Sequence, residues 1–186
     1  MKRFVAFAFA AALSIPAVAS AQETAPDGTR AYTVEPYVGV LGGYHDYDRD
    51  SEFGTNARGY KVNGGVLTGI AGVNIGLGPV FVGAEGFGGH GTADIKWVYG
   101  ARGRVGARAG ESGMIYISGG YQWTNGKLAR GFPDRSDWVY GVGVEVGPKD
   151  IGLGGVLGES GPRIRLQAET YDFDSIAPMA GVVWHF

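Results

Sequence analysis

Seven charged side chains in this sequence fall where strand alternation would set them on one side of a sheet: Glu85, Arg102, Arg104, Glu145, Arg163, Arg165 and Glu169. Confined carboxylates and guanidiniums do one kind of chemistry first. They neutralise one another, because a lone buried charge is prohibitive. Counted from the nearest short turn, Glu85 stands about level with Arg102 and Arg104, and Glu145 near Arg163 and Arg165. The expected product is a network of salt bridges, with a gated ion path through the same pairs as the sharper alternative. The histidines offer less. His45 is expected in a loop with Asp46, Asp48 and Ser51 nearby, a spacing too undemanding to specify a metal ion. His90 opens a second loop, and no histidine sits in a His-x-Ser motif. Gly76-x-Gly78 reads as a turn, because no helix follows it to make a phosphate site. No catalytic residue, metal or cofactor is expected.

The elements that must position these charges are strands. Alternation repeats about eight times, over residues 34–44, 60–75, 80–89, 97–108, 114–124, 138–146, 163–173 and 179–186. In the third, Val80, Val82 and Ala84 oppose Glu85. In the fourth, Trp97, Tyr99, Ala101 and Val105 oppose Arg102, Arg104 and Arg108. In the seventh, Ile164, Leu166 and Ala168 oppose Arg163, Arg165, Gln167 and Glu169. One face is nearly all apolar and small, and the other takes most of the charge. A soluble sandwich would turn the polar face outward, whereas a membrane barrel turns it into its lumen.

The connections and the aromatic residues choose between the two. Connections 76–79 and 109–113 are short, while 45–59, 91–96 and 125–137 are mostly longer and more charged. Short periplasmic turns and long external loops are the habit of outer-membrane barrels. The long connection 147–162 departs from that habit. An aromatic girdle is expected from Tyr44, Trp97, Tyr99, Tyr121, Trp123, Trp138 and Tyr140 at external strand ends, and from Trp184 at the periplasmic end. Amphipathic rings favour the headgroup level. The fold class expected is therefore all-β, an eight-stranded antiparallel transmembrane up-and-down β-barrel.

The N-terminus assigns a compartment. Lys2 and Arg3, an apolar stretch from Phe4 to Val18 and the Ala19-Ser20-Ala21 cleavage pattern have the anatomy of a secretory signal peptide. The expected division is 1–21 signal peptide, 22–33 short N-terminal segment and 34–186 barrel domain. Removing Lys2 and Arg3 lowers the basic count from 16 to 14 against 18 acidic residues, a net charge of −4. That mild acidity gives no reason for a nucleic-acid partner. Zero cysteines exclude a disulfide framework. The 35 glycines are interleaved with Val, Ile, Tyr and Trp, which a disordered chain lacks. With no apolar helix expected after residue 21, a closed barrel is the remaining way to satisfy every backbone group in a bilayer.

The last strand brings a resemblance. Val182, Trp184 and the terminal Phe186 resemble the C-terminal assembly signal that the barrel assembly machinery reads as an edge strand. With Tyr37-Val-Gly-Val-Leu-Gly-Gly-Tyr44, the chain resembles the opacity-protein and outer-membrane-protein-A-like "porin family" of small barrels. The resemblance implies an integral outer-membrane protein of the Gram-negative cell envelope. Its expected features are a salt-bridged, largely plugged lumen and external loops for surface contacts, as in opacity-like surface antigens. Outer-membrane lipid and lipopolysaccharide and the assembly machinery are the implied partners, with no surface ligand specified. Because this barrel hosts adhesins, structural proteins and enzymes, a narrow ion channel and a lipid A-modifying enzyme are the alternatives.

Overall fold

A computed structural model describes residues 33–47, 63–109, 113–127, 134–147, 162–171, 173 and 175–186. Eight strands follow one another: β1 (Thr33–Tyr47), β2 (Asn63–Leu77), β3 (Val80–Gly91), β4 (Ile95–Ala109), β5 (Gly113–Gly126), β6 (Arg135–Val146), β7 (Pro162–Tyr171) and β8 (Ser175–His185). Each pairs antiparallel with its neighbours in sequence, and β1 closes onto β8 through pairs such as Tyr37 with His185 and Val40 with Val182. The expected eight-stranded up-and-down barrel is the fold observed. Every strand has 10 to 15 residues, enough for a tilted strand to cross a bilayer's hydrocarbon core. Closure leaves no edge with unpaired N–H and C=O groups.

Period-two alternation decides what faces where. Val40, Leu67, Val82, Val105, Ile117, Val142, Leu166 and Val182, one from each strand, are all exposed on the outside. The glutamates Glu85, Glu145 and Glu169 are buried inside. An apolar exterior around a charged interior inverts the pattern of a water-soluble barrel and matches that of a membrane barrel.

Glycine answers two different needs. On the inward face it makes room. A Cβ on Gly39 would stand 2.7 Å from the Val182 carbonyl oxygen, and one on Gly72 would overlap the Tyr37 phenol. In the two-residue turn between β2 and β3, Gly78 adopts φ 71°, a left-handed conformation that costs glycine nothing.

The strands outrun the segments that alternation marks. β1 reaches Tyr47, β5 reaches Gly126, and β8 begins at Ser175 instead of residue 179. At these ends, away from the β2–β3 turn, polar residues such as Asp46 and Asn125 continue the ladder after the apolar signal has faded. Pro178 adds to the effect in β8. The β1–β8 pairing is interrupted between Met179 and Ile176, where this proline has no N–H to give. β7 stops at Tyr171 rather than 173, and Phe173 occupies the following turn with φ 65°. β4 starts two residues earlier than residue 97, with a register shift between Ile95 and Trp97. Residues 1–32, including the segment with signal-peptide anatomy, and most of connection 147–162 lie outside the described residues.

A pair of substitutions tests the facing. Gly72→Ala should destabilise the barrel by about 1–3 kcal/mol through overpacking. Gly103→Ala, whose Cβ would meet nothing nearer than 3.9 Å, should stay within about 0.5 kcal/mol of the parent. Urea unfolding in detergent micelles reads the difference, and equal midpoints would contradict the inward placement of Gly72.

Candidate functional site

The barrel interior is the site with the most chemistry, and four strands build its centre. Glu85 projects inward from the middle of β3, directly across from Arg102 on β4 in the backbone register. Its Oε1 accepts a hydrogen bond from Arg102 Nε at 2.7 Å and a second from Arg102 Nη2. Its Oε2 accepts from Tyr37 Oη at 2.8 Å and from Arg165 Nη1 at 2.5 Å, and Arg104 Nη1 stands 3.5 Å away. Glu145 on β6 is held in the same manner. Arg104 Nη2 donates to its Oε1 at 2.6 Å and Arg165 Nε at 3.1 Å, while His185 Nε2 lies 2.7 Å from Oε2. Glu169 completes the set by pairing with Arg102 Nη1 and accepting from Gln167 Nε2 at 2.6 Å.

Three carboxylates thus meet three guanidiniums, and all six side chains are almost wholly buried. Each carboxylate has at least two donors and each arginine bridges two carboxylates. This charge pairing is the first condition under which buried ions are tolerated, although Arg104 Nε has no hydrogen-bond partner. The aromatic rings between them are part of the arrangement. The Arg104 guanidinium lies 3.8 Å from the Tyr116 ring centre, and Arg102 lies 4.8 Å from that of Phe87. Tyr37 stacks on His185 with ring centres 5.2 Å apart. Tyr116 Oη donates to Gln167 Oε1 at 2.8 Å.

Two apolar clusters enclose this layer. Leu41, Ile70, Phe87, Val98, Val139 and Met179 belong to one that reaches the end away from the β2–β3 turn, and Phe81, Met114 and Tyr116 form one towards that turn. Near the end that carries the β2–β3 turn, Arg108 Nη2 pairs with Glu35 Oε1 at 2.5 Å, partly exposed. Arg163 is buried on β7 two residues from Arg165, on the same inward face. Such an interior matches what an eight-stranded barrel allows, a lumen just wide enough to be filled by side chains.

The charged residues picked from alternation all face the lumen, and Glu85 meets both expected arginines. Its third arginine, Arg165, comes from across the barrel, a contact that strand-by-strand counting does not reveal. Tyr37, Tyr116 and His185 were not foreseen as members, although their parity places them inward. His45 corrects the loop reading. It lies in β1, buried, with its ring 6.1 Å from that of Tyr171. The adjacent Asp46 is exposed on the opposite face, so the two do not converge on one ion. Asp48 and Ser51 lie outside the described residues. Among the described residues no group of three His, Asp or Glu side chains could hold a metal ion. His90 packs edge-on against Trp97, ring centres 5.0 Å apart.

The rings expected in the girdle lie on the outer face. Tyr44, Trp97, Tyr99, Trp123 and Trp138 are well exposed near the strand ends away from the β2–β3 turn, Tyr121 and Tyr140 are half-buried beside them, and Trp184 is exposed near the other end. Val182 and Phe186 are exposed on the same side as Trp184, and Phe186 N donates to Pro36 O at 2.9 Å, tying the end of the chain to β1.

No family model matches the chain, and no curated protein matches its sequence. Solved structures do match its fold. The attachment invasion locus protein Ail of Yersinia pestis is 13% identical, with 84% of this chain and 99% of that one covered and a TM-score of 0.50. Neisserial surface protein A is 8% identical over 81% of this chain and 95% of that one, with a TM-score of 0.48. A de novo designed transmembrane β-barrel is 9% identical, with 82% and 95% covered and a TM-score of 0.48. At these identities the likeness is one of fold alone.

Proposed function

We propose that the protein is an integral outer-membrane barrel of the opacity-like kind, a structural and surface-exposed protein whose lumen is plugged by its own ion pairs. The observation that carries this reading is the pairing of three buried carboxylates with three buried guanidiniums inside an apolar jacket. A conducting lumen needs mobile water and loosely held charge, and the arginines here are each committed to two partners. The signal-peptide anatomy of residues 1–21 and the short turns on the side of both termini support export and an outward-facing loop surface. The membrane's lipid and lipopolysaccharide would surround the apolar exterior. Val182, Trp184 and Phe186 would supply the edge by which the assembly machinery takes up β8.

Three measurements test the parts of this reading. Removing one partner of a buried pair commonly costs about 3–5 kcal/mol. Glu85→Ala, which takes one of its two carboxylates from each of Arg102, Arg104 and Arg165, should lower the unfolding midpoint accordingly, and Glu85→Ala with Arg102→Ala should recover part of the loss. The parent should conduct little in planar bilayers. An unchanged midpoint with no coupling, or steady ion conductance by the parent, would reject the plug.

Orientation is read by protease added to intact cells. Cleavage is expected near Lys127 and Asp134, the charged external connection, and Arg102 and Arg165 should be spared. Cutting only after the outer membrane is lysed would reverse the topology. The third measurement concerns assembly. Phe186→Ala should lower the amount of heat-modifiable, membrane-embedded protein, and normal levels would remove Phe186 from the uptake edge.

A further inference from the structure

We propose that His185 is a proton switch at the base of the plug, and that acidification charges its ring, loosens Glu145 from its arginines and lets the lumen pass ions. This rests on the plugged-lumen reading and adds to it the condition under which the plug gives way. Histidine is the side chain that ordinarily gains its charge between about pH 5 and 8, whereas carboxylates titrate lower and guanidiniums far higher. His185 stands in the ion-pair layer itself. Its Nε2 lies 2.7 Å from Glu145 Oε2, and its ring stacks on Tyr37, whose hydroxyl donates to Glu85. His45 sits towards the other end of β1 against Tyr171, and His90 lies on the outer face against Trp97.

The charges around the ring decide what a proton does there. Glu145 faces it from β6, Arg163 from β7 and Glu35 from β1, with Tyr37 stacked against it. Glu35 is itself paired with Arg108, and Glu145 Oε1 already holds Arg104 and Arg165. A carboxylate only accepts, so the neutral ring carries its proton on Nε2 and points it at Glu145. Nδ1 is buried without a hydrogen-bond partner. A second proton must sit on Nδ1, as a donor with nothing to receive it. The ring would then be the third cation on Glu145, with Arg163 close by, and the layer of three carboxylates and three guanidiniums would lose its neutrality. A looser arrangement that admits water to Nδ1 takes the proton more readily. It therefore binds one proton more than the closed plug, and acid favours it by up to about tenfold per pH unit. Glu35 and Arg108 are partly exposed at the end that carries the β2–β3 turn, which gives the proton its way in. A lumen with cations in excess passes anions in preference.

The test records potassium chloride conductance and reversal potential in planar bilayers for the parent, His185→Gln and His45→Gln, each first shown to be folded by heat-modifiable mobility. Lowering the pH from about 7.5 to about 5.5 should raise the parent's conductance about tenfold, the ratio for one proton on a group of ordinary histidine affinity in the open form. The current should favour chloride. The amide of His185→Gln still donates towards Glu145 but takes no proton, so this variant should stay closed at both values. His185→Asn is the second neutral variant if the glutamine does not assemble. His45→Gln should respond as the parent does. An acid response that survives in the neutral His185 variants, or that is lost in His45→Gln, overturns the switch. The plug and the switch fail separately. A parent closed at both values removes the switch and keeps the plug, whereas a parent that conducts at about pH 7.5 removes the plug and the switch with it.

Discussion

The interior of this barrel depends on the sharing of one carboxylate. Glu85 accepts from Arg102, Arg165 and Tyr37 and has Arg104 within ion-pair reach. The same arginines go on to Glu145 and Glu169. Much else follows from the need to bring these groups together. Glycine must stand where the phenol of Tyr37 crosses β2, and rings must lie against the guanidiniums to leave no space beside them. In a low-dielectric interior such a network is either complete or very costly.

Much of this arrangement was legible from parity alone. Once Val80, Val82 and Ala84 are placed outside, Glu85 must lie inside, and the same reasoning turns Arg102, Arg104, Arg165 and Glu169 inward. Parity carries no information across the barrel, so it pairs neighbours and misses Arg165 reaching Glu85. It also says nothing of the hydroxyls of Tyr37 and Tyr116, which belong to the polar network. Strand ends were the least legible. Hydropathy marks the depth of the bilayer, whereas the hydrogen-bond ladder continues into the polar residues above it. For that reason hydropathy assigns His45 to a loop, although it sits buried near the C-terminal end of β1.

The two faces answer to different solvents. Outside, side chains need only be apolar, and shape is free, so a Cβ on outward Gly42 would meet nothing within 4 Å and one on Gly103 nothing nearer than 3.9 Å. Inside, nearly every volume is prescribed by a neighbour. Substitution should therefore be tolerated unevenly along each strand, with sensitivity alternating residue by residue. The exception outside is the set of touching rings on β4, β5 and β6, where Tyr99 stacks on Trp123 and Tyr121 meets Trp123 and Trp138 edge to face.

The contact between Glu85 and Arg165 joins residues 80 positions apart, and that between Glu145 and His185 joins residues 40 apart. Because the partners lie on β3, β4, β6 and β7, the charges meet only when strands from opposite sides of the barrel have come together. A half-built sheet would carry open ions on the very face that must become its dry interior. The order of events is thereby constrained. A sheet that stops before β7 leaves Glu85 and Glu145 without Arg165, and Arg102 without Glu169. The ion pairs that fill the finished barrel thus set a condition on its making, since the charges are matched only once strands from both halves of the sheet are present.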